Sequence, residues 1–356
     1  MKKEVVFAHF SGYSHRRYLA LMRVFDSLDT AFAAPKAAFV QTGWKQSAID
    51  DFFEWKSKLE IDTLQKTLDN SDIHTLTLDN PLYPPLLKSI FDPPPVLFVR
   101  GNIKLLAKPL AIVGSRKTTS YGRHIATSFS EVIAPHMSIV SGLALGIDGI
   151  AHRGALQAQG HTVAVLAGGI DDATVAPHAH RKLAMQILDQ GGALLTEFPP
   201  GCSPKNYTFP LRNRIIAGMS IGTLVIEAAE KSGALITANY ALESGRDVFS
   251  IPHQLLSTTG MGCNNLIAEG AHVAVSPESI LEYYNIKYTD RQKATSEPQN
   301  ALETQILDLL SCEPLHVDQI FEKFPKERQK ILPCLTVLEI KSKVKNLGNM
   351  TYARLS

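Results

Sequence analysis

Short apolar runs separated by helix-length segments fill the middle of the chain, from Leu110 to about Tyr284. The runs are LAIVG, SIVSG, TVAVLAGG, ALLTEF, TLVIEA, DVFSIP and AHVAV. Nearly continuous apolar strands alternating with helices are typical of a parallel sheet covered on both faces. The pattern predicts a doubly wound, mostly parallel α/β domain of the Rossmann type, which binds ligands outside the carboxyl ends of its strands.

The segment before this domain has a different pattern. RRYLALMRVFDSL and residues 47–68 space their apolar positions at three and four, which predicts a small helical domain over residues 1–78. The proline-rich connector NPLYPPLLKSIFDPPPVLFVRGN follows and forbids a long helix. It leads into a predicted strand, Val96–Val99, so the α/β domain is expected over residues 79–286.

The segment after it begins with a polar stretch, KYTDRQKATSEPQNA, which predicts a linker over residues 287–301. Residues 302–356 then show three helical stretches and the strand-like MTYARL. This outline predicts a winged-helix-like domain, although a three-helix bundle fits the same pattern.

Composition narrows the class of protein. The 356 residues are 45% hydrophobic and 20% charged, typical of two or three globular domains and not of a disordered chain. With 36 basic and 34 acidic residues, the formal net charge is only +2. Nucleic-acid binding would therefore require a local concentration of positive charge.

No apolar run reaches the ~18 residues of a membrane span, and the N-terminus lacks a secretory apolar region, so we expect a cytoplasmic protein without membrane contact. The four cysteines form no CxxC pair, which argues against a cysteine zinc site or a disulfide framework. No carboxylate or cysteine stands at ligand spacing around His152, His161, His178 and His180. We therefore expect no metal and no cofactor.

Two loops after predicted strands have the chemistry of an anion site. Gly114-Ser115-Arg116-Lys117 leads from the first central strand into a helix, where backbone N–H groups and a forked guanidinium favour phosphate, although the glycine alone would also serve a tight turn. After the next strand, Gly142 and Gly146 allow close approach to a ligand or to the neighbouring turn. Asp148 fits a helix N-cap, with His152 one turn on.

The stretch PPGCSPKNYTFPLRNRIIAG, residues 199–218, is the most informative. Between Phe198 and Ile226 the chain has three basic residues, Lys205, Arg212 and Arg214, and no acidic residue. Cations interleaved with aromatic rings suit single-stranded nucleic acid, because the cations follow phosphates while the rings stack on bases. Alternatively the arginines pair with Glu197 or Glu227, which fits Arg214 better. Glu227 could hydrogen-bond a ribose or hold Arg214, and we favour the second role. Arg212 and Lys205 are the stronger ligand candidates.

Other loops are weaker candidates. Ser232, Gly233 and Thr237 lie where a loop enters a helix and form a further candidate phosphate-facing N-terminus. The chain has no GxxxxGK[ST] motif, no GxSxG elbow and no GxGxxG. Without a recognisable nucleophile, base or metal, we expect a binding protein and not an enzyme.

Taken together, the connector motif, AIVGSRKTTSYG, SGLALGIDGIAHRGAL, PPGCSPKNYTFPLRNRIIAGMS, VIEAAEKSGALITANYALESGRDVFSIP and GCNNLIAEGA resemble the DprA/Smf family of DNA-processing proteins. The similarity runs from about Asn80 to Ala271 in unbroken order. The C-terminal VLEIKSKVKNLGNMTYARL resembles the family's winged-helix domain. More loosely, the N-terminal helices resemble its sterile-alpha-motif-like or helix-hairpin-helix-like domain.

The resemblance implies a homodimer that binds and protects incoming single-stranded DNA during natural transformation and loads the RecA recombinase onto it. It also implies a set of DNA-binding residues. They are Gly114 and Ser115 as phosphate-facing backbone, with Arg116, Lys117, Gly142, Lys205, Phe209, Arg212, Asn213 and Arg214.

The sequence departs from the family pattern at two loops, where it has Val175-Ala176-Pro177-His178 and Pro252-His253. One alternative is a nucleotide-binding or nucleotide-hydrolysing enzyme of the lysine-decarboxylase-like superfamily, but Lys231-Ser232-Gly233-Ala234 lacks the PGGxGT pattern such enzymes tend to show. The other is a duplex-DNA regulator acting through the C-terminal domain, whose candidate recognition helix has lysines only at its end, at positions 341, 343 and 345.

Overall fold

The computed structural model describes residues 1–288, 301–310, 314–340, 343–348 and 350–355. They divide into two compact units, Met1–Lys287 and Tyr288–Ser356. Most of the predicted linker, residues 289–300, lies outside the described residues.

A mixed sheet forms the centre of the first unit. Its nine strands, counted over the described residues, are β1 (His74–Thr77), β2 (Val96–Gly101), β3 (Leu110–Val113), β4 (Ile139–Ser141), β5 (Thr162–Val165), β6 (Ala193–Thr196), β7 (Gly222–Val225), β8 (Asp247–Ser250) and β9 (His272–Val273). They lie in the order β1-β2-β6-β5-β4-β3-β7-β8-β9. β2 pairs antiparallel with β1 and β6, and all other neighbours are parallel, which confirms the predicted doubly wound sheet.

The direction of winding changes at β3. Strands β4 to β6 follow on one side of it and β7 to β9 on the other. Where the winding reverses, the loops leaving adjacent strands separate and open a crevice at the carboxyl edge. The loops after β3, β4, β5 and β7 therefore surround one crevice.

Helices cover both faces of the sheet. The helices between residues 85 and 283 are α6 (Pro85–Lys88), α7 (Ser120–Ile133), α8 (Ile147–Gln157), α9 (Arg181–Asp189), α10 (Thr208–Gly218), α11 (Gly233–Glu243), α12 (Met261–Ala268) and α13 (Pro277–Tyr283). One buried cluster joins Val113 and Val225 to Ile215 of α10, and another joins Ala164 and Leu194 to Ile187 of α9. Both faces are apolar, as the continuous strand pattern predicts.

The N-terminal helices pack on this sheet. They are α1 (Lys3–Ala8), α2 (His15–Met22), α3 (Leu28–Ala33), α4 (Gln46–Ser57) and α5 (Ile61–Asn70), with a 3₁₀ helix at Lys36–Thr42. Phe52 stacks between Phe7 and Phe39, each centroid 5.2 Å away. Val5 joins the core against the sheet, and the His9 ring meets the edge of Phe98 at 5.5 Å.

The predicted boundary at residue 78 differs from the structure in one respect. His74–Thr77 lies on its helical side yet pairs with β2 inside the sheet. Only Leu76 of these four residues is apolar, so the strand had no apolar signal of its own. It is fixed by pairing with the apolar β2, a tertiary effect that local pattern does not report.

The second unit is a winged helix. Its elements are α14 (Ala301–Leu309), β10 (Leu315–His316), α15 (Val317–Lys323), α16 (Arg328–Ile340), β11 (Val344–Gly348) and β12 (Thr351–Arg354). The strands form an antiparallel sheet in the order β10-β12-β11, which excludes the three-helix bundle. Ile306, Ile320 and Leu335 form its core with Tyr352 of β12. Over the described residues of both units, no helix is long and apolar enough to span a membrane.

Gly146 allows the loop after β4 to lie close to the turn after β3 at the crevice. It has φ +82°, and a Cβ there would overlap the carbonyl oxygen of Ser115. Gly245 has φ +66° but faces open space. We expect Gly245→Ala to lower the free energy of unfolding by about 1–2 kcal/mol, the cost of left-handed backbone alone.

Gly146→Ala is expected to cost about 1–3 kcal/mol more than Gly245→Ala, because steric overlap adds to the backbone cost. Urea unfolding followed by circular dichroism measures both variants. Equal costs would show that the two loops do not approach as closely as described.

Candidate nucleic-acid interface

The turn after β3 is closed by Glu227, at the end of β7. The Ser115 N–H donates to the Glu227 carbonyl oxygen at 2.7 Å, and the Thr119 N–H donates to the Glu227 carboxylate at 3.0 Å. The Ser115 hydroxyl bonds the backbone of Lys117. The Ser115 amide is therefore not the predicted phosphate donor, because a neighbouring strand already uses it. Glu227 is fully buried against this turn and does not hold Arg214, so that expectation is wrong.

Arg116 extends from the same turn over the half-buried ring of Phe209, near the start of α10. Its guanidinium carbon lies 4.9 Å from the ring centroid. The side chain is exposed and forms no ion pair with a carboxylate of the described residues. The cation–π contact positions the cation without neutralising it. Because this contact covers one face of Phe209, that ring is less open to a base than the sequence suggested.

Lys205 lies in the loop that leads into α10, and its neighbour is a second aromatic ring. Its ammonium is 5.9 Å from the ring centroid of Tyr207, whose side chain is 60% exposed. Lys205 is exposed and, over the described part of the chain, also has no carboxylate partner. This loop packs on the turn after β5, where the Gly169 N–H donates to the Cys202 carbonyl oxygen at 2.8 Å. The site therefore has two exposed cations, each beside an aromatic ring.

Arg212 has a different role from the one predicted. It is only 4% exposed and donates to the carbonyl oxygens of Gly142 and, at 2.6 Å, Val165. Burial lowers the pKa of the Arg212 guanidinium to about 10, so it remains charged at neutral pH. A Cβ on Gly142 would overlap this guanidinium. Gly142 therefore makes room for Arg212, and both residues join the loops after β4 and β5.

The buried counter-charge to Arg212 is Asp148. Its carboxylate accepts the Gly142 N–H at 3.2 Å and the Ala144 N–H, in the loop before α8. Burial raises the pKa of the Asp148 carboxyl, an effect that Arg212 opposes. The residue at the N-cap of α8 is Gly146, so the predicted capping role is wrong: Asp148 closes the preceding loop instead.

Arg214 is structural, as the alternative interpretation held. It pairs with the carboxylate of Glu197 and with Asp92 at 3.4 Å. Burial raises the pKa of Glu197 to about 6, and Arg214 opposes this shift. The side-chain amide of the intervening Asn213 donates to the carbonyl oxygen of Gly233 at 3.3 Å. The three residues of the Arg-Asn-Arg triplet thus face different partners.

Two cavities open at the crevice, separated by shared residues. The first has a volume of about 220 Å³ and mostly apolar walls, among them Leu145, Leu166, Ala167, Pro177 and Pro204. The second has a volume of about 330 Å³ and lies against the start of α11. Arg116, Phe209 and Arg212 line both. The apolar cavity was not predicted, because its small and aliphatic residues do not differ in type from core residues.

The histidines are held by protein groups. His152 Nδ1 and the Thr162 hydroxyl are 2.8 Å apart, and His180 Nδ1 donates to the Leu143 carbonyl oxygen at 2.8 Å. Burial lowers the pKa of His152 to about 3. Of the two departures from the family pattern, Ala176 and Pro177 line the apolar cavity, and His253 Nε2 donates to the Ile226 carbonyl oxygen at 2.9 Å.

Comparison with known proteins identifies the family to which this chain belongs. A family model described as DNA recombination-mediator protein A matches residues 74–285, and one described as DprA winged helix domain matches residues 290–349. The chain belongs to the DprA/Smf family.

Individual DprA/Smf proteins are similar to this chain in sequence and in structure. The Smf protein of Escherichia coli is 43% identical over 244 residues, 68% of this chain but only 64% of that protein. The DprA of Streptococcus pneumoniae is 35% identical over 76% of this chain and 94% of its own length. Its solved structure matches with a TM-score of 0.68 and 32% identity over 81% of this chain and all of that chain.

A second solved DprA gives information on a ligand. The DNA processing protein A of Helicobacter pylori matches with a TM-score of 0.54 and 28% identity, over 60% of this chain and 95% of that chain. That structure is described as giving insight into a unique single-stranded DNA binding mode of the Helicobacter protein.

Four of the DprA/Smf motifs quoted above contribute residues to the crevice, but not all of these residues are ligand groups. Gly114, Arg116, Phe209 and Asn213 line the cavities with exposed or half-buried surface. Other predicted site residues make hydrogen bonds or ion pairs that hold the loops in place: Ser115, Gly142, Arg212 and Arg214. Lys117 and Lys205 are exposed beside the cavities.

The two arginines at the crevice should respond differently to truncation. Arg212→Ala removes donors from two buried carbonyl groups and leaves Asp148 without its counter-charge, so we expect a loss of about 3–5 kcal/mol in the free energy of unfolding. Arg116→Ala should change it by less than about 1 kcal/mol, because only an exposed cation–π contact is lost. Chemical denaturation of both variants measures this. A stable Arg212→Ala protein would contradict the structural role of Arg212.

Proposed function

We propose that the crevice binds single-stranded DNA. The observation that carries the proposal is the pair of exposed cations, Arg116 and Lys205, each beside an aromatic ring and neither bound to a carboxylate of the described residues. Unneutralised cations attract phosphates by releasing counterions, and nearby rings offer stacking surfaces for bases. A net charge of +2 gives the chain as a whole little attraction for a polyanion, so local cations matter.

The apolar cavity supports a single strand over a duplex. Its walls are mostly apolar, and an unstacked base presents apolar faces that such walls can bury. Bases in a duplex are already stacked and paired, and removing one costs a few kcal/mol. The available ring for a neighbouring base is Tyr207, since Arg116 covers one face of Phe209.

The family supports a role in recombination. Members match a model described as a recombination mediator, and we propose that this protein likewise protects single strands in the cytoplasm and loads a RecA-type recombinase onto them. We also propose that it acts as a homodimer, because two crevices on one long strand would gain affinity through effective concentration.

The nucleotide-hydrolysing alternative is not favoured. In doubly wound folds a nucleotide phosphate usually sits at the first strand-to-helix turn. Here the buried Glu227 carboxylate accepts the Thr119 N–H at that turn, so a phosphate would meet a carboxylate.

Two single substitutions test the interface. Arg116→Ala and Lys205→Ala should each weaken binding to an oligothymidylate and reduce the slope of log K against log salt by about 0.7 per lost phosphate contact. Fluorescence anisotropy across a salt series measures affinity and slope. Lys66→Ala, which removes an equal charge from the exposed surface of α5, is the matched control and should change neither. Unchanged slopes in both site variants would refute the interface.

Recombinase loading has its own test. A single strand first coated with a single-strand-binding protein should recruit RecA faster in the presence of this protein, measured as the lag before strand-dependent ATP hydrolysis. Arg116→Ala should lengthen that lag, since loading requires the strand to be held. An unchanged lag with wild-type protein would exclude the loading role and leave strand binding intact.

A further inference from the structure

The second cavity has features that strand binding through Arg116 and Lys205 does not use. It is more polar than the first, and its walls include the Ser232-Gly233-Ala234 start of α11 together with Asn213 and Thr237. Helix α11 has 11 residues, so its first backbone N–H groups and its dipole favour an anion at this end. The Ser232 hydroxyl accepts the Ala234 N–H at 3.3 Å and caps the helix.

Thr237 is the observation that points to a ligand. Its side chain is 2% exposed and lines the cavity, and its hydroxyl has no hydrogen-bond partner within the described part of the chain. The oxygen itself keeps some accessible surface. Because Thr237 lines the cavity, a ligand or water there can complete the hydrogen bonding of the hydroxyl. One turn into α11, it faces the same cavity as the helix start.

Arg212 contributes a second unused donor. One of its terminal nitrogens donates to the Gly142 and Val165 carbonyl groups, but its buried Nε has no partner. Because Arg212 lines the cavity, its positive charge acts there. Asp148 also lines the cavity, but its carboxylate is committed to the amides of Gly142 and Ala144. Arg116 also lines this cavity, so two guanidinium groups and one carboxylate surround the space.

We propose that the second cavity is a phosphate subsite, in which Thr237 and the start of α11 bind one backbone phosphate of the strand. The two cavities share Arg116 and Phe209, so a base in the first and an adjacent phosphate in the second belong to one continuous stretch of strand. This inference rests on the proposed function. It adds a neutral contact, from the Thr237 hydroxyl to a phosphate, to the cationic contacts of Arg116 and Lys205.

The test is Thr237→Val, which removes the hydroxyl and keeps the shape. We expect it to weaken binding of an oligothymidylate about tenfold, in line with one lost hydrogen bond to a charged oxygen. The salt slope should stay at the wild-type value, because no cation is lost; this separates Thr237 from Arg116 and Lys205. Thr237→Ser keeps the hydroxyl and should restore most of the affinity.

Thr223→Val is the matched control. Thr223 lies on β7, is fully buried and also has an unpartnered hydroxyl, but it lines neither cavity described here. It should leave strand affinity unchanged. If Thr237→Val binds as Thr223→Val does while the wild type binds the strand, the subsite is refuted and the proposed function stands. If the wild type itself binds no single strand, the proposed function fails, and the inference with it.

Neutral linkages identify the source of the phosphate. Replacing single phosphates of the oligothymidylate by methylphosphonate should reduce wild-type affinity at the linkage that enters the subsite, and Thr237→Val should abolish the sensitivity at that linkage. Thymidine monophosphate and inorganic phosphate are titrated in parallel. A Thr237→Val variant that loses affinity for these small phosphates but not for the strand would overturn the assignment to a backbone phosphate.

Discussion

The Arg212 guanidinium joins the loops that form the crevice. It donates to the carbonyl groups of Gly142 and Val165, at the ends of two adjacent parallel strands, and the Asp148 carboxylate binds the amides of the same β4 loop. Neither charge would be tolerated in the interior alone, because desolvation would cost several kcal/mol for each ion. Together they fix loop geometry at an edge where glycines leave few side-chain contacts, and so set the wall between the two cavities.

The second constraint on the site is that a cation must be held in position while its charge stays available to a ligand. Arg214 is held by carboxylates and contributes no free charge, whereas Arg116 is held by the face of Phe209 and keeps its charge available. The formal charge of a segment is therefore larger than the positive charge that a ligand can contact. Of the three basic residues between Phe198 and Ile226, only Lys205 is exposed, and the exposed Arg116 and Lys117 come from a different loop.

The sequence predicted the fold well because strand signals were strong and local. Each of the apolar runs quoted as predicted strands between Val96 and Val275 forms a strand. β1 was missed because its register depends on the partner strand. Within the site, residue type led to the nucleic-acid interpretation, but it could not separate Arg212 from Arg116. The burial of an arginine depends on which carbonyl groups the folded loops bring near it, and those groups come from residues 70 and 47 positions away.

Under the proposed function, the small net charge affects how a strand would be captured. A protein with charge +2 exerts little long-range attraction on a polyanion, so electrostatic steering contributes less to association than for a strongly basic protein. Affinity would then have to come from contacts made after encounter: the exposed cations, an exposed tyrosine ring, an apolar cavity and a more polar one. Contacts of this kind are each worth little and do not read base identity by pairing, so useful affinity requires several of them on one strand. That requirement favours a crevice in which base and phosphate subsites adjoin. The residues between the two cavities must then keep a fixed position, which Arg212 and Asp148 give them.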